Sequence, residues 1–330
     1  MLRILHVGIG PTGQRIEKEL LGRSGLRTVA AVDLGPAIGG RLLSELVEDA
    51  DPHLRIETTL EALHDWSSID VAIVTTSASL ARCADVFRTL LAHGLPVVST
   101  CEELIYPWAT QRALAEDLDS LAKRHGGRLL GTGVNPGFLM DALPVFASVL
   151  SRRIDRVEVL RRQDATGRRI TFQRKIGVGL GHADFESRVA DGSLRHVGLR
   201  ESAELVAHYL GLEVERWSET IEPVLAEREL PSGLGTIAPG TTAGMRQVGE
   251  AFQGGKSVVR LEFLAALGIL GPVDCVRLEG EPSFEFAIPG GVQGDVAATS
   301  IVVNALESIR AAPPGLHTMV DLPVVHFRRH

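Results

Sequence analysis

Two adjacent carboxylates, Glu102 and Glu103, follow the short apolar run 96–99 after only Thr100 and Cys101. The chain has four lysines, Lys18, Lys123, Lys175 and Lys256, and none lies near this pair. A proton-donating lysine that could work on a carbonyl is therefore missing from this place. A fixed carboxylate suits a different task. It stabilises the positive charge that develops when an amine loses hydride, and it can orient or deprotonate a water that attacks the resulting iminium carbon. Consecutive residues point apart, so one of the two is expected inside and the other out. The alternative is an acidic entry to the helix that follows Pro107, which the helix dipole favours.

A second group of residues suits phosphate. Gly8, Gly10 and Gly13, with Pro11 and Thr12 between the last two, form a GxGxxG turn directly after the apolar run 2–7 and before a helical pattern over 12–21. In that setting the first glycine permits the tight turn, the second lets backbone approach a pyrophosphate, and the third lets helix and sheet pack closely. The helix N-terminus then presents unpaired N–H groups to the anion. Asp33 ends the next apolar run and stands where a carboxylate takes the adenine-ribose hydroxyls. It repels a 2′-phosphate, so NAD is favoured, and Arg41 softens that preference enough to leave NADP open. Thr75, Thr76 and Ser77 end a later strand and either line the nicotinamide ribose or cap the next helix. Asn135 opens an Asn-Pro-Gly turn and is a further cofactor candidate. Phe138, Met140, His182, His196 and Thr299 are candidates for the substrate pocket, each with a plain structural alternative in core, surface or helix.

These groups need elements to hold them. Strand patterns at 2–7, 27–32, 70–75, 96–99 and 128–131 alternate with helical ones at 12–21, 41–47, 80–92 and 108–125. That order implies a parallel sheet wrapped on both faces. Near residue 150 the pattern changes. Polar and apolar residues alternate over 156–160, 257–263 and 273–279, which marks half-exposed strands of an antiparallel or mixed sheet. Helical patterns stand at 183–190, 201–210 and 295–310, and the arginine-rich stretch 161–174 reads as a solvated strand–turn–strand. The fold class is therefore α/β: an N-terminal dinucleotide-binding domain over 1–150, and a second α+β mixed-sheet domain over 151–294. The C-terminal segment 295–330 is expected to pack back on the first domain.

Composition narrows the function classes. At 330 residues the chain exceeds the usual size of a single core. Its net charge of −7 argues against a general nucleic-acid binder. Three scattered cysteines give no disulfide framework and no CxxC clip. No zinc-ligand spacing or HExxH occurs, so no catalytic metal is expected. The longest uncharged apolar stretch, 263–273, is too short to span a bilayer, and the start of the chain does not read as a signal peptide. A cytoplasmic protein without nucleic-acid or membrane partners is expected.

Longer motifs carry a resemblance. Ser99-Thr100-Cys101-Glu102-Glu103-Leu104 with Tyr106-Pro107, the run from Gly131 to Asp141 (GTGVNPGFLMD) with Leu143-Pro144, and Arg195-His196-Val197-Gly198-Leu199 with Glu201-Ser202 resemble the 2,4-diaminopentanoate dehydrogenase family, to which the native amine dehydrogenases belong. The tail, from Gly294-Asp295 through Asn304 to Asp321-Leu322-Pro323, fits as well. The resemblance implies a Rossmann domain joined to a sheet domain related to dihydrodipicolinate reductase, as a homodimer. It implies an NAD(P)-dependent, reversible oxidative deamination of an amine to a ketone or aldehyde plus ammonia. The family's catalytic carboxylate falls on Glu102, with Glu103 as the fallback. The rival readings are a reductase of the dihydrodipicolinate type, whose His-His-x-x-Lys segment is missing here, and a non-catalytic dinucleotide-binding sensor.

Overall fold

The structure, a computed structural model, describes residues 1–328. Packing divides them into two units, residues 1–138 with 294–328, and residues 139–293. The first unit opens with β1 (Leu2–Val7), α1 (Pro11–Leu21), β2 (Leu26–Val32), β3 (Ile56–Glu57), β4 (Val71–Val74), α2 (Leu80–Ala92), β5 (Pro96–Ser99), α3 (Arg112–His125) and β6 (Arg128–Gly131). The second unit follows with α4 (Ala142–Ala147), β7 (Arg153–Asp164), α5 (Ile170–Lys175), α6 (His182–Ala190), α7 (Leu199–Leu210), β8 (Arg216–Leu225), β9 (Leu230–Ser232), β10 (Gly235–Ile237), β11 (Thr242–Gln253), β12 (Lys256–Ala266), β13 (Val273–Glu281) and β14 (Phe284–Pro289). The chain then returns to the first unit with α8 (Gly294–Ala311) and β15 (Gly315–His317).

Seven parallel strands make the first sheet, in the order β15-β6-β5-β4-β1-β2-β3. Both faces are covered, which is why its strands read as mostly apolar runs without strict alternation. On one face α2 and α3 press Phe87, Leu90, Leu118 and Ala122 against Leu5, Val7, Val74 and Val97. Period-2 alternation turns Ile4 and His6 the other way. There α1 and α8 pack on each other, with Ile16, Leu20, Val302, Val303, Leu306 and Ile309 buried. The strand order reverses beside β1, so the carboxyl ends of β1 and β4 flank the switch point where open α/β sheets take ligands.

Two expected helices come out shorter. The 41–47 pattern yields only a single 3₁₀ turn, Leu43–Glu45. Its leucines serve a small cluster with Ile9, Ala31, Val47 and Ile56, and Leu43 N–H donates to Leu54 O at 2.8 Å instead of continuing a helix. The 108–125 pattern splits into a 3₁₀ turn, Pro107–Ala109, and α3.

The second unit is built on a six-stranded sheet, β14-β13-β7-β12-β11-β8, with β7 and β12 parallel and all other pairs antiparallel. α7 packs Leu199, Ala203 and Val206 onto Val157, Val159, Leu261 and Leu278. The opposite face carries interleaved ion pairs, Arg156–Glu158, Arg277–Glu285 and Arg246–Glu262. The alternation at 156–160 marks this one-sided burial, and it also corrects the reading of Arg161. Strand register puts Arg161 on the same face as Val157 and Val159, where it is 2% exposed, so it is not solvated. There Arg161 and Gln163 donate to Val292 O at 3.2 Å, and Asp274 accepts from Val292 N–H at 2.6 Å.

Candidate active site

The glycine turn sits between β1 and α1. Gly8 holds a φ of +96°, which only glycine adopts without strain. A Cβ on Gly13 would lie 2.1 Å from Gly8 O, so the helix can approach the turn only without a side chain there. A Cβ on Gly10, by contrast, would meet nothing within 4 Å. Gly10 is also the N-cap of α1, with no side-chain cap, Pro11 in the first turn and no acid in it. The helix thus presents uncapped N–H groups to open space, a cradle that a pyrophosphate fits. Thr12 is half-buried beside this N-terminus.

Asp33 follows β2 on the same edge. Its Oδ2 accepts from Ile9 N–H at 2.7 Å and its Oδ1 from Gly35 N–H at 2.8 Å. Each oxygen keeps acceptor capacity for a ribose hydroxyl. Arg41 lies on the exposed side of this loop and pairs with Glu45 at 3.0 Å.

The loops after β4, β5 and β6 reach the same carboxyl edge. Ser99 Oγ donates to Val74 O at 3.0 Å and Thr132 N–H to Ser99 O at 2.8 Å, so the strand ends are stitched together. Glu102–Leu104 then form a 3₁₀ turn. A Cβ on Gly131 would lie 2.7 Å from the carbonyl carbon of Leu104, so that glycine gives the turn its seat. Glu102 and Glu103 are both half-buried, not one in and one out, because three residues per turn project neighbours about 120° apart. Glu103 Oε2 accepts from Leu80 N–H at 2.8 Å and from Gln111 Nε2 at 2.7 Å. It therefore caps α2, whose own N-cap, Ser79, makes no side-chain cap bond.

Residues 138–328 match the family described as 2,4-diaminopentanoate dehydrogenase C-terminal domain. The chain belongs to the 2,4-diaminopentanoate dehydrogenase family. It is 26% identical to the 2,4-diaminopentanoate dehydrogenase of Acetoanaerobium sticklandii, over 98% of this chain and 94% of that protein. It is 23% identical to an amine dehydrogenase of Streptomyces virginiae, over 98% of this chain and 97% of that one. Among solved structures, an amine dehydrogenase from Mycobacterium smegmatis has the same fold, with a TM-score of 0.86 at 23% identity over 99% of this chain and 98% of that one.

In this member of the family the remaining candidates separate. Thr75 Oγ1 donates to Gly8 O, so its hydroxyl shapes the glycine turn. Thr76 is exposed, with its hydroxyl 3.4 Å from Cys83 Sγ, and Ser77 Oγ accepts from Ser79 N–H at 3.2 Å at the entry to α2. Asn135 and Phe138 are half-buried in the loop after β6. The other pocket candidates have the following surroundings. Met140 is fully buried in the core of the second unit with Val157 and Val159. His182 begins α6 with a side chain 64% exposed and pairs with Glu186 at 3.2 Å, one turn on. Thr299 Oγ1 donates to Val296 O at 2.8 Å inside its own helix. His196 is buried, exchanges backbone hydrogen bonds with the Gln247 amide at 2.6 and 3.0 Å, and rests on the Phe263 ring. Burial, with Lys175, Arg161 and Arg195 nearby, holds its imidazole well below the usual range and thus neutral.

Sequence reasoning passed over His6 and Glu17. They are 0% and 1% exposed and bonded Nδ1 to Oε1 behind the glycine turn. The available signals were a histidine inside an apolar strand and a glutamate beside Ile16 on the apolar stripe of α1.

Proposed function

We propose that the chain is an NAD(P)-dependent amine dehydrogenase, which converts an amine and water to a ketone or aldehyde and ammonia, and runs in reverse as a reductive aminase. The observation that carries this is the seating of the acidic turn 102–104 on the same sheet edge as the uncapped glycine turn. The names of the curated relatives agree with it.

Gly8, Gly10 and Gly13 with the first turn of α1 hold the pyrophosphate, and Asp33 takes the ribose hydroxyls. The carboxylate of Asp33 favours NAD over NADP, and Arg41 has its charge partly answered by Glu45. When bound, the nicotinamide supplies the acceptor for the hydride leaving the amine-bearing carbon. Glu102 supplies negative charge beside the substrate iminium and takes a proton from the water that adds to it. Glu103, whose Oε2 accepts from Leu80 N–H and Gln111 Nε2, is the fallback. We further place the enzyme in the cytoplasm as a homodimer, which sedimentation would report as twice 35.4 kDa.

The test is consumption of NADH and NADPH with a panel of ketones and aldehydes in concentrated ammonium buffer, beside an ammonia-free control. Ammonia-dependent turnover is expected, faster with NADH. Carbonyl reduction without ammonia would replace this reading with an alcohol-type dehydrogenase.

A further inference from the structure

The proton positions behind the glycine turn can be worked out from its hydrogen bonds. Gly8 O can only accept, so the single hydroxyl hydrogen of Thr75 goes to it. Thr75 Oγ1 must then accept from His6 Nε2, 3.2 Å away, which fixes a proton on that nitrogen. On the other side of the ring, Nδ1 shares one further proton with Glu17 Oε1. Thr28 Oγ1 closes the line, 2.8 Å from Glu17 Oε2 and 3.0 Å from Oε1. A continuous line of hydrogen bonds thus runs from β2 through α1 and β1 to the turn.

Stability does not account for it. A buried ion pair is often replaced by apolar side chains without loss, and this one lies among apolar strands and helices. What an apolar pair lacks is a donor to hold the Thr75 hydroxyl on Gly8 O. That carbonyl and the N–H of Ile9 belong to one planar peptide unit. The N–H end donates to Asp33 Oδ2 at 2.7 Å. Turning the peptide plane would therefore misplace Asp33 along with the turn.

We propose that His6 and Glu17 are positioning residues for the dinucleotide: through Thr75 they clamp the Gly8–Ile9 peptide, and through that peptide they aim the ribose-binding carboxylate of Asp33. This rests on the cofactor reading above. The test is fluorescence titration of NADH and NADPH, with thermal melts, on the wild type, H6F, T75V, T75S and the H6F/T75V double variant. H6F and T75V should each weaken NADH about tenfold, the worth of one well-placed hydrogen bond. Each should also narrow the preference for NADH over NADPH. The double variant should bind no worse than the weaker single one, because both cut the same chain, and T75S should recover most of the loss. If T75V and H6F lower the melting temperature yet bind NADH as the wild type does, or if their losses simply add, the proposal is wrong. T75V is nearly isosteric, so it tests the idea even if H6F fails to fold. A wild-type chain that binds neither dinucleotide would overturn the cofactor reading, and this proposal with it.

Discussion

Replacing Glu102 and Glu103 separately by glutamine sets two jobs for a carboxylate against each other. Glu102→Gln keeps the shape and removes the charge; on the proposed mechanism kcat should fall roughly 10²–10³-fold, as for loss of a preorganised electrostatic group. Glu103→Gln acts on a helix cap, since its oxygen binds Leu80 N–H at the start of α2. It should cost about 1 kcal/mol of stability and leave kcat far closer to the wild type. Steady-state rates and denaturant melts separate the two. Equal losses of rate would return the catalytic role to the pair as a whole. At this scale the sequence put the carboxylate pair directly after a strand, where the structure has the turn 102–104. It was silent on the division of labour, which depends on a helix start 23 residues upstream. It was equally silent on the side chains whose hydroxyls or rings find local partners. Thr299 bonds back within its own helix, and His182 meets Glu186 one turn away. Neither outcome follows from residue type.

Three glycines shape the turn between the first two elements, and two of them predict signatures that differ in stability. Gly10→Ala adds a methyl group where nothing lies within 4 Å. The free protein should melt as the wild type does, while NADH binding weakens at least about tenfold, because the methyl occupies the path of the phosphate. Gly13→Ala drives a methyl to 2.1 Å from Gly8 O. It should lose binding and also about 1–3 kcal/mol of stability, the usual cost of overpacking. Melting temperature and NADH affinity of the two variants check this, and a Gly10→Ala variant with normal affinity would remove the pyrophosphate from this turn. The same physics explains which elements were legible. β1, α1, β2, β4, α2, β5 and β6 show apolar runs or helical spacing bounded by glycine, and they lie where the patterns put them. β11 shows no such pattern because Gly244 and Gly249 interrupt it. A Cβ at Gly244 would lie 2.1 Å from Ala265 O, and one at Gly249 2.3 Å from the Trp217 ring. Glycines inside a strand often mark such close approaches, yet in a sequence they read as turns. The 41–47 segment fails the other way. Its leucine spacing is helical, but Leu43 and Val47 are claimed by the cluster around Ile9 and Ile56.

For the whole chain the first unit is discontinuous in sequence and the second is not. Residues 139–293 hold two apolar clusters of their own and the complete six-stranded sheet. The first unit needs the tail, because α8 covers β4, β5 and β6, and β15 adds the edge strand beside β6. Val302, Val303, Leu306 and Ile309 are buried on that helix. At about 1.5–3 kcal/mol for each large apolar side chain, they contribute an amount comparable with the whole stability of a typical domain, about 5–15 kcal/mol. Residues 139–293 expressed alone should therefore fold and unfold cooperatively. Residues 1–138 alone should stay unfolded or aggregate, and should recover structure and NADH binding when residues 294–330 are joined to them through a short linker. Circular dichroism melts and NADH titration of the three polypeptides give the answer. A cooperative melt from residues 1–138 alone would mean that α1, α2 and α3 suffice to close the parallel sheet. The role of α8 would then lie in something other than completing that core.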